Sequence, residues 1–257
     1  MSRTLSTLAA LVAAVLACTG LALIGSPADA SQGGASAARL APKPRVGQCR
    51  TTTAAQTFSF TDNHAPVACS QPHRLRTFAV VAVPKTFNYV HINQAKLGRV
   101  AANLCYPRFW KAIGGGHANR ALTAYDWAYF GPSLKDRKHG ARWLRCDVVL
   151  QATTPAGVAG LAPLPNVGWP MLGTRTITDN IRRCLATTTD GYWTVCSRPH
   201  VARADQAFVM ASASHPTQAQ VNAAAATTCP GKRAYAVGTW AWAHGDHVVT
   251  CYSVTTS

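Results

Sequence analysis

The chain is 257 residues long and 48% hydrophobic, with only 13% charged residues, which excludes a coiled coil and a charge-rich disordered chain. Its 25 Lys and Arg outnumber nine acids, giving a formal charge of +16, and all nine acids are Asp. Without glutamate there is no paired-Glu glycosidase and no His-Glu-x-x-His zinc protease, so acid–base chemistry would fall on Asp or His.

The first expected element is a leader. Arg3 precedes an apolar run from Leu5 to Ile24, Ser26-Pro27 breaks it, and Ala28-Asp29-Ala30 has the small-x-small form that signal peptidase accepts. Residues 1–30 read as a cleaved secretory signal; a run of roughly 20 apolar residues would also serve as a retained membrane anchor, and Cys18 as a lipidated cysteine. Each reading places the rest of the chain outside the cytoplasm. Residues 31–44 read as a disordered stalk. Beyond the leader lie eight cysteines: Cys49, Cys69, Cys105, Cys146, Cys184, Cys196, Cys229 and Cys251. An even number in an exported chain signals disulfides.

The chain then repeats itself. Cys69-Ser70-Gln71-Pro72-His73 returns as Cys196-Ser197-Arg198-Pro199-His200, and His91-Ile92-Asn93-Gln94-Ala95 as His215-Pro216-Thr217-Gln218-Ala219. In both places the next cysteine lies 14 residues beyond the second histidine. The order of motifs predicts a tandem duplication: one module over 45–152, a Pro/Gly-rich linker over 153–173 and a second module over 174–257. Within each module, Arg76 to Val83 and Ala207 to Ala211 read as strands. Asn93 and Thr217 are N-cap candidates for helices that carry Cys105 and Cys229 on their buried stripes, and Pro107 and Pro230 should end or bend those helices. Leu144, Cys146, Val148 and Leu150 alternate as a closing strand, as do Val249, Cys251 and Ser253. Each module is expected as three short strands, a helix and two closing strands. The fold class is α+β, with two disulfide-stapled modules of short antiparallel strands packed on one helix.

The steps between cysteines vary between copies: 20 against 12 from first to second, and 41 against 22 from third to fourth. Length changes of this kind belong in surface loops. They favour bridges local to each module, namely Cys49–Cys69, Cys105–Cys146, Cys184–Cys196 and Cys229–Cys251.

The opening Gly47-Gln48-Cys49, the Cys-Ser-x-Pro-His turn, the helix cysteine and the closing stretch Gly140 to Val149 together resemble the septum-formation domain family over about residues 46–254. The resemblance implies an exported or anchored envelope protein linked to cell division, and it implies no catalytic residues. The second copy departs from the pattern, opening Arg182-Arg183-Cys184 and closing Val249-Thr250-Cys251-Tyr252. A site needing Arg142, Arg145 or Asp147 would exist only in the first copy.

Several side chains are candidates for binding. His73 and His200 could serve as ligands or proton carriers, or satisfy the backbone of a rigid Pro-His turn. Trp127 and Trp143, with Arg142 and Arg145, could form a platform for sugars or lipid headgroups, or simply pack; Trp240 and Trp242 stand similarly in the second copy. A zinc site from the Cys-x-x-x-His pairs competes with disulfides, which the compartment favours. No cofactor and no catalytic residue are expected. The expected protein is a non-enzymatic envelope binder whose partner is an anionic wall polymer, the membrane surface or an envelope protein, and not nucleic acid. The alternatives are a wall-directed hydrolase using His73 or His200, and a secreted cationic effector.

Overall fold

The computed structural model describes residues 41–188 and 192–255, without the side chain of Trp240. The leader and residues 31–40 of the stalk lie outside the described residues. Among those described, no helix is long and apolar enough to cross a membrane.

The chain opens with β1 (Cys49–Arg50), the one-turn helix α1 (Ala54–Thr57) and β2 (Leu75–Ala82). Next comes α2 (Gln94–Ile113), capped by the Asn93 side chain, which accepts from the Lys96 N–H at 3.0 Å. Pro107 sits inside α2 and does not end it. The missing N–H removes one helical hydrogen bond, but Phe109 and Ile113 beyond it are buried on the same face as Tyr106 before it, and that burial carries the helix on. It stops at Gly114, whose φ of +72° closes the turn onto the Trp110 carbonyl. Then follow α3 (His117–Ala121), β3 (Tyr125–Phe130), α4 (Leu134–Lys138), β4 (Trp143–Gln151) and the short β5 (Leu161–Ala162). The second part holds β6 (Arg183–Leu185), β7 (Trp193–Val195), β8 (Ala202–Val209), α5 (Gln218–Thr228), β9 (Arg233–Ala236), α6 (Thr239–Ala243) and β10 (Val248–Val254). The class is α+β, with antiparallel strands throughout.

The first sheet runs β1-β2-β4-β3, with β5 added to β4; the second runs β7-β6-β8-β10-β9. Their registers correspond residue by residue around the cysteines. Cys49 faces Arg76 as Cys184 faces Arg203, and Thr77 faces Asp147 as Ala204 faces Tyr252. A bulge interrupts both central pairs immediately beside the closing cysteine. The hairpin partner β7 has only a single bridge, Cys49 to Val67, as its counterpart in the first sheet. Strand β8 starts five residues earlier than its sequence pattern suggested. Its buried positions are the small Ala202 and Ala204, and between them Arg203 pairs with Asp179 at 2.7 Å, so no large apolar residue marks the period.

Four disulfides staple the structure: Cys49–Cys69, Cys105–Cys146, Cys184–Cys196 and Cys229–Cys251. Cys105 lies on the buried stripe of α2 with Leu97 and Ala101, whereas Cys229 is the C-cap of α5, one step past its end. The bridge to Cys146 ties α2 to one face of β4, where Leu144, Val148 and Leu150 complete the core. The opposite face of the first sheet carries Leu75, Phe130, Val149 and Leu161. The two sheets belong to one compact unit. The Pro/Gly-rich residues 153–173 join them and are packed: Leu164, Met171 and Leu172 are buried in the first core, and Met171 and Leu172 donate to Ala112 and Ile113 at the end of α2. An extended tether would leave that apolar surface in water.

Candidate functional site

The alternation of β4 decides where its charges go. Leu144, Cys146 and Val148 face α2, so Arg145 and Asp147 must face the other way, under the loop that follows α1. There Arg145 donates from Nη2 to Asp62 Oδ2 at 2.6 Å and from Nε to Asp147 Oδ2 at 2.7 Å, with its guanidinium 4.4 Å from the Phe130 ring centre. Arg50, from β1, lies 4.0 Å from Asp62 and donates to Thr77, Gln48 and the His64 carbonyl. The side chains of Asp62 and Asp147 are fully buried, and that of Arg145 is 2% exposed.

The electrostatics of Asp62, Asp147 and Arg50 differ. Burial alone would push the Asp62 carboxyl up, but hydrogen bonds from Arg145 and His64 outweigh it and hold it below the usual carboxylate range. Asp147 goes the other way, because burial outweighs the help of Arg145, Thr77 and Arg50. Burial and the neighbouring Arg145 lower Arg50.

Asp62 also carries His64 outward. Its Oδ1 accepts from the His64 N–H at 3.1 Å and lies 2.5 Å from His64 Nδ1, while Thr52 donates to Oδ2 at 3.0 Å. The His64 side chain is 39% exposed, and its Nε2 lies 3.3 Å from the Gln56 amide nitrogen. Arg50, Asp62, His64 and Arg145 line a cleft of about 1060 Å³. Residues 41–46, Gln48 and the turn Gly131-Pro132-Ser133 line it as well. That turn needs glycine, since a methyl at Gly131 would collide with the Phe60 ring. Four cations, Lys43, Arg45, Arg50 and Arg145, line the cleft against two carboxylates, Asp62 and Asp136, before His64 is counted.

Of the residues singled out in the sequence, Arg145 and Trp143 line this cleft. Arg142 donates instead to the carbonyls of Pro84 and Phe87 and holds that loop. Trp127 belongs to a separate groove beside Phe58 and Tyr129. His73 is 2% exposed, with Nδ1 2.9 Å from the Gln71 carbonyl, and His200 makes the same contact with Arg198 at 2.7 Å. Both are turn-closing contacts two residues back along the chain. Cys184, Cys196 and His200 lie close enough to hold a metal, but the two sulfurs are bonded to each other and offer no thiolate. A further buried group, Asp246, accepts from Tyr106 at 3.0 Å and meets His117 Nδ1 at 2.9 Å, which joins α2 and α3 to the loop before β10.

Asp62, His64, Lys43 and Arg45 were not singled out in the sequence. Asp62 and His64 stand in the stretch between the first two cysteines, which is eight residues longer in the first copy (20 against 12). That extra length is the sequence signal that marks them.

No curated protein and no solved structure matches the chain. The family model described as septum formation matches residues 46–254 in a single span. The family and the four disulfides fit an extracytoplasmic, septum-formation-related envelope protein. The chain belongs to the septum-formation family.

Proposed function

We propose that this member of the septum-formation family is exported and works by binding an anionic component of the cell envelope, without chemistry of its own. The observation that carries the reading is the excess of cations in the cleft, on a chain whose formal charge is +16. Concave sites with convergent polar groups are the usual place for ligands, and positive potential concentrates anions in them. The His64–Asp62 pair has the geometry of a base and its orienting acid, but the ring's other nitrogen meets the Gln56 amide rather than a hydroxyl or thiol. His73 and His200 close turns, which favours scaffold over hydrolysis. We read the two sheets as tandem copies of one module, supported by their common strand order, register and bulge. The apolar run before Ser26 would be its export signal or its anchor.

Co-sedimentation tests the binding. The oxidised exported protein is mixed with purified cell walls, with walls stripped of phosphodiester-linked polymers, and with phosphatidylglycerol vesicles. Expected is pelleting with an anionic fraction that fades at high salt and is reduced by Lys43→Glu/Arg45→Glu more than by Lys96→Glu/Lys111→Glu, an equal charge change on exposed positions of α2. Equal loss in both pairs would mean charge without a site, and release of soluble wall fragments would mean an enzyme.

A further inference from the structure

The two sheets allow a comparison within one chain. Register places Leu185 where the first sheet has Arg50, Ala204 where it has Thr77, Thr250 where it has Arg145, and Tyr252 where it has Asp147. Leu185, Ala204 and Tyr252 are buried together in an apolar cluster with Ala202. The same scaffold is therefore built once on a buried ion network and once on an apolar core. Buried ion pairs commonly add no stability over apolar side chains of similar volume, so the fold does not require the network. What the first sheet has in addition is the cleft above it and His64 standing at its wall.

We infer that the cleft is a site for an anionic sugar, that His64 contacts the sugar's acidic group, and that Asp62, Arg145, Asp147 and Arg50 hold His64 in place. The inference rests on the binding function proposed above and names its ligand class. Lys43 and Arg45, both exposed, line the same cleft and can receive the same negative charge. Gln48 and Asn63 offer amides for hydroxyl groups, and Trp143 offers an aromatic ring for the apolar face of a pyranose. The cleft lies at the upper end of the size range of ligand pockets. A recess of that size admits a chain of sugar rings. Asp62 holds Nδ1 at 2.5 Å, which leaves Nε2 to meet the ligand by displacing the Gln56 amide 3.3 Å from it, and the second arginine keeps the buried charge balanced.

Calorimetric titration of the full exported chain tests this with a hyaluronan tetrasaccharide, neutral chitotetraose, inorganic phosphate and phosphatidylglycerol vesicles. The expected result is binding of the acidic tetrasaccharide about tenfold or more tighter than of chitotetraose, weakened about tenfold by His64→Gln. Asp62→Asn should weaken it similarly and shift the His64 ring 15N resonances, a readout that loss of stability alone would not produce. Equal affinity for both tetrasaccharides, phosphate binding as tight as the acidic sugar, binding to vesicles alone, or an unchanged affinity in His64→Gln would each overturn the assignment. If no soluble sugar binds while wall pelleting persists, this site is wrong and the binding function stands; if pelleting fails as well, the binding function falls too.

Discussion

Removing Arg145 should be far more damaging than replacing the whole network around it. Arg145→Ala leaves the fully buried side chains of Asp62 and Asp147 without the guanidinium that bonds both at 2.6 and 2.7 Å. Breaking a buried pair from one side costs about 3–5 kcal/mol, and in a domain of this size each kcal/mol shifts the melting temperature by about 2–4 °C. The expected loss is about 6–20 °C. A fivefold variant copying the second sheet, with Arg50→Leu, Thr77→Ala, Arg145→Thr and Asp147→Tyr plus Asp62→Asn, strands no buried charge and should melt within about 5 °C of the parent. Thermal unfolding followed by circular dichroism at neutral pH, with disulfides intact, compares the three proteins. A shift under about 2 °C for Arg145→Ala would refute the reasoning. So would a fivefold variant as unstable as the single one, because the scaffold would then need its charges.

Three further outcomes follow from the same structure. Cys105→Ala/Cys146→Ala opens a loop of 41 residues between α2 and β4, which should cost about 4 kcal/mol in denaturant titration. Asp62 is held below its ordinary value, so its contribution is fully present above about pH 4 and is lost as pH falls through the lower folded value. Asp62→Asn should therefore melt below the parent at neutral pH, and the gap should close on acidification in melting curves taken across that range. Asp246→Ala removes the acceptor shared by Tyr106 and His117 and should cost about 1–3 kcal/mol, with faster hydrogen exchange in β10 than in β4.

Much of this architecture was legible in the sequence because its signals are local. The repeated Cys-Ser-x-Pro-His turn and the alternation around Cys146 mark the two sheets, and Asn93 and Thr217 do cap their helices. Where signals compete, the sequence is less decisive. Pro107 speaks for a helix end, but the apolar stripe that continues through Phe109 to Ile113 overrides it. Prolines and glycines in 153–173 speak for a linker, and they do not show that Leu164, Met171 and Leu172 pack that segment into the first core. The candidate site was half legible. Arg145 and Asp147 stand out because Thr250 and Tyr252 replace them in the second copy. Asp62 and His64 come from a loop that is eight residues longer in the first copy, and only tertiary packing brings that loop over Arg145.

Imaging tests the central claim most directly, that cleft-mediated binding serves septum formation. An export-competent fluorescent fusion of the parent chain is compared in dividing native cells with Lys43→Glu/Arg45→Glu/His64→Gln, after both are shown to be exported and oxidised. The account predicts enrichment of the parent at the septum and a diffuse or released signal for the cleft variant. Septal enrichment of the variant equal to the parent, or no septal enrichment of the parent, would contradict it.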